Sequence, residues 1–207
     1  MPLEDEAHAA TVEALVRWLP SQLAIDGEVH AEVPYSYYGH RGSIDVVTYE
    51  CLSGRSLRDP DCTLHIGIYE VWSTVLKLEE VLRKLNEKIE FFPKGVRDEG
   101  LFSASPDAVS GNLVLLNTMH NVQVLRDHLA TFRSVFAIEE DRAAGRQRPL
   151  VWKSLYLFNP LGRVPWEPLR RTPDELRSFD ECVAALEGAW EFVDSHDFLQ
   201  AYQARSG

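Results

Sequence analysis

Two acidic residues hold matching positions in neighbouring apolar runs of the sequence. Asp45 lies within residues 42–49 and Glu70 lies within residues 64–72, with a loop of turn-forming residues between the two runs. This pattern predicts an antiparallel hairpin. A hairpin centred in that loop places Asp45 opposite Glu70, so both carboxylates are expected on one half-buried face of a sheet.

Two carboxylates in such a place need a compensating charge. Like charges side by side on a half-buried sheet face repel each other and lose hydration. A divalent cation removes both costs, and Mg²⁺ is commonly held by one or two carboxylates while water and substrate phosphate complete its shell. The alternative is a strand register that differs by one residue, which leaves both acids solvated. The pairing alone leaves these two interpretations open.

The elements that position the acids follow from hydrophobic periodicity. An amphipathic helix is predicted over residues 6–19, a first strand over residues 28–38, and a second helix that starts after Trp72 and ends before Pro93. The later predictions are a polar loop at 94–111, a buried strand at 112–117, a helix at 121–136, a strand at 150–158, an irregular proline-rich segment at 159–171 and a capped C-terminal helix from Thr172.

Three lysines share one side of the second predicted helix, namely Lys77, Lys84 and Lys88. One interpretation is a solvated face whose lysines pair with Glu80 and Glu87 along the helix. The other is that this side lines a groove and forms a local basic patch. The sequence alone does not choose between them.

Composition limits the classes of function. The chain of 207 residues suits one domain spanning residues 1–207, and no internal repeat or long linker divides it. A formal net charge of -11 opposes approach to a nucleic-acid backbone, so any such contact must depend on a local basic patch. Three cysteines without a C-x-x-C spacing indicate neither a disulfide framework nor a zinc site. With no apolar run of membrane-spanning length, a cytoplasmic protein without membrane contact is expected.

Motif and element order together resemble the PD-(D/E)XK nuclease superfamily. The segment from Tyr38 to Asp45 (YGHRGSID) and the segment Ile68-Tyr69-Glu70-Val71 are similar to restriction-endonuclease-like proteins of bacteria. The resemblance covers roughly the first 120 residues. It implies an α/β fold with a restriction-endonuclease-like core, ordered α-β-β-β-α-β, over about residues 5–120. A central mixed sheet flanked by helices is expected, with a C-terminal helical extension over about residues 121–207.

The resemblance also implies a site and a chemistry. Asp45 and Glu70 would ligate Mg²⁺, for which Mn²⁺ can substitute, and Glu13 on the first helix is the match for a third acid that often joins them. In such enzymes the metal activates water and neutralises charge at the scissile phosphate of DNA. His40 and Arg41 precede the first acid and are candidate contacts to phosphate, although turns also carry such residues for solubility alone.

The chain departs from the superfamily pattern where the third motif residue, a lysine, is replaced by Trp72. An indole cannot stabilise anionic charge as an ammonium does, and losing one such group costs about two to three orders of magnitude in rate. Lys77 is the nearest substitute in sequence, and Lys88 is a more distant cation that could contact substrate. Trp72 itself either fills the space of a closed site or stacks on a base.

Three functions are consistent with these features. The first is Mg²⁺-dependent cleavage of DNA, with an activity that the loss of the motif lysine makes weak or absent. The second is an inactive nuclease-fold protein that binds a protein partner, with an exposed apolar patch expected around Trp166 in the proline-rich segment. The third is an acidic protein that mimics nucleic acid, which the charge permits but no motif supports. The sequence does not indicate an oligomeric state.

Overall fold

The computed structural model describes residues 3–24, 26–102, 106–116, 118–136, 151–158 and 166–169. This part of the chain contains four helices and six strands, with a single 3-10 turn at Leu19–Ser21 after the first helix. In chain order they are α1 Leu3–Trp18, β1 Glu28–Tyr37, β2 His40–Cys51, β3 Leu64–Trp72, α2 Leu78–Glu99, β4 Pro106–Leu116, α3 Met119–Asp127, α4 Leu129–Val135, β5 Val151–Phe158 and β6 Trp166–Leu169.

All six strands belong to one mixed sheet in the order β1-β2-β3-β4-β5-β6. Strands β1, β2 and β3 form an antiparallel meander, β4 and β5 continue in parallel with β3, and β6 returns antiparallel to β5. Helix α2 makes the crossover that a parallel β3–β4 pair requires. The α/β class, the mixed sheet and the predicted order of the first six elements are therefore confirmed. None of the helices described is long and apolar enough to cross a membrane.

Two apolar layers cover the sheet. Helix α2 buries the stripe Leu78, Val81, Leu82, Leu85, Ile89, Phe92 and Val96 against one face. Helix α1 and the 3-10 turn after it bury Leu15 and Leu19, with smaller residues, against the opposite face. Gly111 in β4 permits the close approach of α2, because a Cβ at this position would lie 2.1 Å from Cδ1 of Ile89. The sheet is thereby held between α1 and α2, which both contact β1 and β3.

Helix α2 does not stop before Pro93 as predicted. It continues to Glu99 and ends at Gly100, whose φ of 63° is the left-handed conformation that glycine adopts readily. Phe92 and Val96 continue the buried stripe beyond the proline. Their burial offsets the hydrogen bond that Pro93 cannot donate. The predicted loop at 94–111 is also wrong. Its first residues belong to α2, which continues to Glu99, and its last residues belong to β4, which begins at Pro106.

Two further predictions need correction, and one lies outside the described residues. The helix predicted over 121–136 is two short helices, α3 and α4, separated at His128. The proline-rich segment 159–171, expected to be irregular, contains strand β6, in which Pro168 is tolerated because β6 lies at the sheet edge. The C-terminal helix predicted from Thr172 falls outside the described residues, as does most of the expected helical extension.

Candidate functional site

The register of the β2–β3 hairpin agrees with the prediction. Val46 pairs with Tyr69 and Val47 pairs with Ile68, so the next position in the ladder sets Asp45 opposite Glu70. The alternative register, displaced by one residue, is excluded. The two acids thus come from adjacent strands at the end of β3 that leads into α2.

Asp45 nevertheless leaves the regular alternation of side chains. Ile44 and Val47 pack in the same apolar layer although they are three residues apart, which a regular strand does not allow. The β1–β2 ladder is regular on both sides of Glu32 and Asp45, and Glu32 has a φ of 51°. The β1–β2 hairpin therefore switches faces at Glu32 and Asp45. The prediction that both carboxylates lie on one sheet face is wrong, because Asp45 contacts α1 whereas Glu70 contacts α2.

The switch turns the Asp45 carboxylate toward β3 and helix α1. Its Oδ2 accepts a hydrogen bond of 2.7 Å from the backbone N–H of Val71, and its Oδ1 lies 3.4 Å from Nε2 of His8. The hydrogen bond with Asp45 raises the pKa of His8, against the opposing effect of partial burial. One fifth of the Asp45 side chain is exposed (20%), so this carboxylate remains accessible to solvent between β3 and α1.

Glu70 is almost fully buried, with 3% of its surface exposed. Its Oε1 accepts a hydrogen bond of 2.5 Å from Nζ of Lys88, whose side chain is itself 12% exposed. Burial raises the pKa of Glu70, and the nearby Asp45 carboxylate raises it further, while Lys88 acts in the opposite direction. The sheet therefore carries two interacting carboxylates and one ammonium at the same point.

A cleft of about 570 Å³ opens above these groups. Its lining residues come from α1, from the end of the β2–β3 hairpin and from the start of α2: His8, Asp45, Glu70, Val71, Trp72, Ser73, Thr74, Leu76, Lys77, Glu80, Lys84 and Lys88. Both acids thus face one open space. Trp72 forms part of its wall and does not close it.

The three lysines predicted to share a face all line this cleft. Lys84 also makes the helical pair of the alternative interpretation, with its Nζ 3.1 Å from Glu80, and it lies 5.2 Å from the centre of the Trp72 ring. Lys77 occupies the N-cap position of α2 without a side-chain hydrogen bond to the helix, and Lys88 donates to Glu70. The groove interpretation and the pairing interpretation therefore each describe part of this face.

Three of the predicted site residues lie elsewhere. Glu13 forms an exposed ion pair with Arg17 on α1. His40 has Nδ1 3.2 Å from Glu87, and its ring stacks at 3.8 Å on Phe91. Arg41 is exposed on β2. None of the three lines the cleft around Asp45 and Glu70.

His8 is the cleft residue that the sequence prediction missed. It lies on α1 beside Asp45, whereas Glu13, the predicted third acid, lies more than one helical turn farther along the helix. No motif surrounds His8 in the sequence. Only the packing of α1 on the sheet reveals its role.

The donor groups at this site fit a divalent cation. Within the part of the chain that the structure describes, no three His, Cys, Asp or Glu side chains form a metal-binding group. Mg²⁺, however, is often bound through only one or two carboxylates together with substrate phosphates. Asp45 and Glu70 supply that number of carboxylates, and their mutual repulsion in a buried setting favours a cation between them. Mn²⁺ takes the same oxygen ligands.

Comparison with known proteins gives no match: no family model, no curated protein and no solved structure matches this chain.

Proposed function

We propose that this protein is a PD-(D/E)XK-like nuclease that hydrolyses DNA phosphodiester bonds and in which Lys88 replaces the missing motif lysine. The observation that carries the proposal is the contact between Lys88 Nζ and Glu70 Oε1 within the cleft that Asp45 also lines. Because Trp72 stands at the position of the motif lysine, β3 itself supplies no cation there. In this proposal the cation is Lys88, which comes from helix α2.

Each of the cleft residues has a distinct role in this proposal. Asp45 and Glu70 would hold Mg²⁺, which when bound polarises the phosphodiester and neutralises its charge. The Lys88 ammonium stabilises the negative charge that develops on the phosphate, a contribution of about two to three orders of magnitude in rate. His8 orients the Asp45 carboxylate through their contact. Lys77, at the exposed edge of the cleft, attracts the substrate backbone.

Two further observations support the proposal. The order of the first six elements and the mixed sheet agree with the plan that the resemblance implies. Lys77, Lys84 and Lys88 also place three ammonium groups in the cleft beside Asp45, Glu70 and Glu80, and a nuclease needs such cations in a chain whose net charge is -11. Three of the 21 lysines and arginines of the chain thus lie at the site that would use them.

Nicking of supercoiled plasmid in Mg²⁺ or Mn²⁺ tests this function. The variants are Asp45→Asn, Lys88→Gln and Lys77→Gln, with Lys94→Gln as the control because Lys94 pairs with Glu90 outside the cleft. Asp45→Asn and Lys88→Gln are expected to lower the rate about 100-fold or more. Lys77→Gln should have a smaller effect. Circular dichroism of each variant verifies that the fold is retained.

The results discriminate between the candidate cations. Loss of nicking in Lys77→Gln with retention in Lys88→Gln would return the catalytic role to Lys77, the residue nearest in sequence. Absence of nicking by the wild-type protein with either metal would refute the nuclease proposal. The Lys94→Gln control should cleave at the wild-type rate.

A second function, an inactive nuclease fold that binds a protein partner, is favoured by one observation. Both acids already have partners within the fold, since Asp45 accepts from Val71 N–H and Glu70 pairs with Lys88. Such contacts give the acids a structural reason to persist without catalysis. Calorimetric titration that detects no Mg²⁺ or Mn²⁺ uptake, combined with the absence of nicking, would favour this function.

A further inference from the structure

Two free thiols lie together at the loop end of the β2–β3 hairpin, away from the cleft. Cys51 is the last residue of β2 and pairs with Leu64, the first residue of β3, while Cys62 lies in the loop just before β3. Both cysteines are reduced, and both pack in the apolar layer that α2 covers. Their side chains hydrogen-bond each other. Thiols in such contact need only a small movement to reach the length of an S–S bond.

The sulfur of Cys51 is surrounded by hydrogen-bond donors. The Ser53 hydroxyl oxygen lies 3.1 Å from Cys51 Sγ, and the backbone N–H groups of Ser53 and Arg55 also donate to this sulfur. A tight turn brings these donors into place, because the Gly54 N–H donates to the Cys51 carbonyl at 3.0 Å and Gly54 adopts a φ of 73°. The Cys62 thiol is a further donor. Donors that converge on one sulfur stabilise its thiolate form.

The two thiols differ in acidity as a result. Burial is the largest influence on the pKa of Cys51 and raises it, but the donors together outweigh burial and lower this pKa to about 7. Burial raises the pKa of Cys62 to about 12, and the hydrogen bond with Cys51 acts in the same direction. Near neutral pH the pair therefore supplies a thiolate at Cys51 and a thiol at Cys62. The thiolate is the nucleophile in thiol oxidation, so Cys51 is the residue equipped to attack an oxidant.

Only a surface loop separates these sulfurs from solvent. Cys51 and Cys62 are 2% and 4% exposed, whereas the loop residues Ser53, Gly54, Arg55 and Ser56 are all exposed. Local opening of an exposed loop costs much less free energy than global unfolding. A hydroperoxide such as H₂O₂ is little larger than water, so opening of this loop alone admits it to Cys51.

We propose that Cys51 and Cys62 form an oxidation site for hydroperoxides, in which Cys51 attacks the peroxide and Cys62 resolves the product. The Cys51 thiolate takes one oxygen of H₂O₂, which becomes a sulfenic acid, and the O–O bond breaks to release hydroxide. The Cys62 sulfur then displaces the hydroxyl of the sulfenic acid, which leaves as water with the proton of the Cys62 thiol. The product is a Cys51–Cys62 disulfide: two thiols are oxidised, and the peroxide is reduced to two molecules of water. This site does not depend on the proposed nuclease function.

Peptide mass mapping of the folded, full-length protein after treatment with H₂O₂ tests the site. Free thiols are blocked with N-ethylmaleimide before digestion. The expected product is a linked Cys51–Cys62 peptide pair whose mass is lower by two hydrogen atoms and which dithiothreitol separates. Cys62→Ser cannot resolve the sulfenic acid, so this variant should instead accumulate a dimedone adduct at Cys51.

A matched pair of serine variants tests the donors. Ser53→Ala removes the hydroxyl beside Cys51 Sγ and should slow disulfide formation about three- to tenfold, because the thiolate loses one charge-assisted hydrogen bond. Ser56→Ala changes an exposed serine of the same loop and should react at the wild-type rate. Circular dichroism verifies that each variant is folded.

Three results would overturn the site. The first is a wild-type protein in which Cys51 and Cys62 both stay unoxidised by H₂O₂ in the folded state. The second is a disulfide that contains Cys182 in place of either cysteine. The third is equal oxidation rates in Ser53→Ala and Ser56→Ala, which would show that the donors do not activate Cys51. The wild-type peptide map requires no substitution, so a Cys62→Ser variant that failed to fold would leave the first two criteria intact.

Discussion

Lys88 of helix α2 and Glu70 of strand β3 form an ion pair inside the fold, 2.5 Å from Nζ to Oε1, with both side chains largely removed from water. The attraction between two such charges is opposed by the cost of removing each one from water, so the intact pair adds little net stability. Removing only one of the two residues is therefore more costly than removing both. The charge that remains is still buried away from water but has lost the attraction of its partner.

Replacing Lys88 with Met is therefore expected to destabilise the fold more than replacing the pair. Lys88→Met leaves the Glu70 carboxylate buried without its cation and should lower the free energy of unfolding by about 3–5 kcal/mol. The double variant Glu70→Gln, Lys88→Met removes both charges and should recover much of that loss. Urea denaturation followed by tryptophan fluorescence measures both values. Losses that simply add in the double variant would show that the two residues do not interact.

The paired positions of the two acids could be predicted from the sequence, but the contact of Lys88 with Glu70 could not. Strand alternation and a turn-rich loop are local signals, and they give the register that pairs Asp45 with Glu70. Distance along the chain favoured Lys77 over Lys88 as the substitute cation. That Lys88 is the lysine that contacts Glu70 depends on where α2 crosses the sheet, which is set by the packing of its apolar stripe and not by sequence distance.

The face switch at Asp45 also had no signal in the sequence. It requires Glu32 to adopt a φ of 51°, in a region that glycine or asparagine would have indicated. The contact of His8 with Asp45 follows from this switch. Local propensity predicts a regular hairpin here, and the tertiary structure overrides it.

Helix α2 offers a direct test of how tertiary packing outweighs a local helix-breaking residue. Pro93 lies inside the helix, lacks the N–H that would bond to the carbonyl of Ile89, and crowds that carbonyl. Pro93→Ala restores the donor and should raise the free energy of unfolding by about 1–2 kcal/mol, after allowance for the greater freedom of the unfolded chain. Thermal or urea unfolding measures the change.

The matched control for this variant is Pro20→Ala. Pro20 lies in the first turn of the 3-10 helix after α1, a place where proline is tolerated. This variant is expected to be neutral or slightly destabilising, because it only loosens the unfolded chain. An unchanged or lower stability of Pro93→Ala would mean that the proline is required where it is.

A buried pair remote from the cleft makes stability depend on pH. Nδ1 of His65 lies 2.8 Å from Oε1 of Glu50, and this hydrogen bond lowers the pKa of Glu50 despite its partial burial. The folded protein therefore binds a proton at Glu50 less readily than the unfolded chain does. The resulting stability is present above the ordinary glutamate pKa of about 4.3 and is lost as pH falls through the lower folded value.

Glu50→Gln should be less stable than the wild type by about 1 kcal/mol near neutral pH, and this difference in stability should narrow as acid protonates Glu50. Urea denaturation at several pH values measures the difference in free energy of unfolding between the wild type and Glu50→Gln, with the exposed Glu90→Gln as control. A difference that stays constant with pH would contradict the stabilising role of the ionised Glu50.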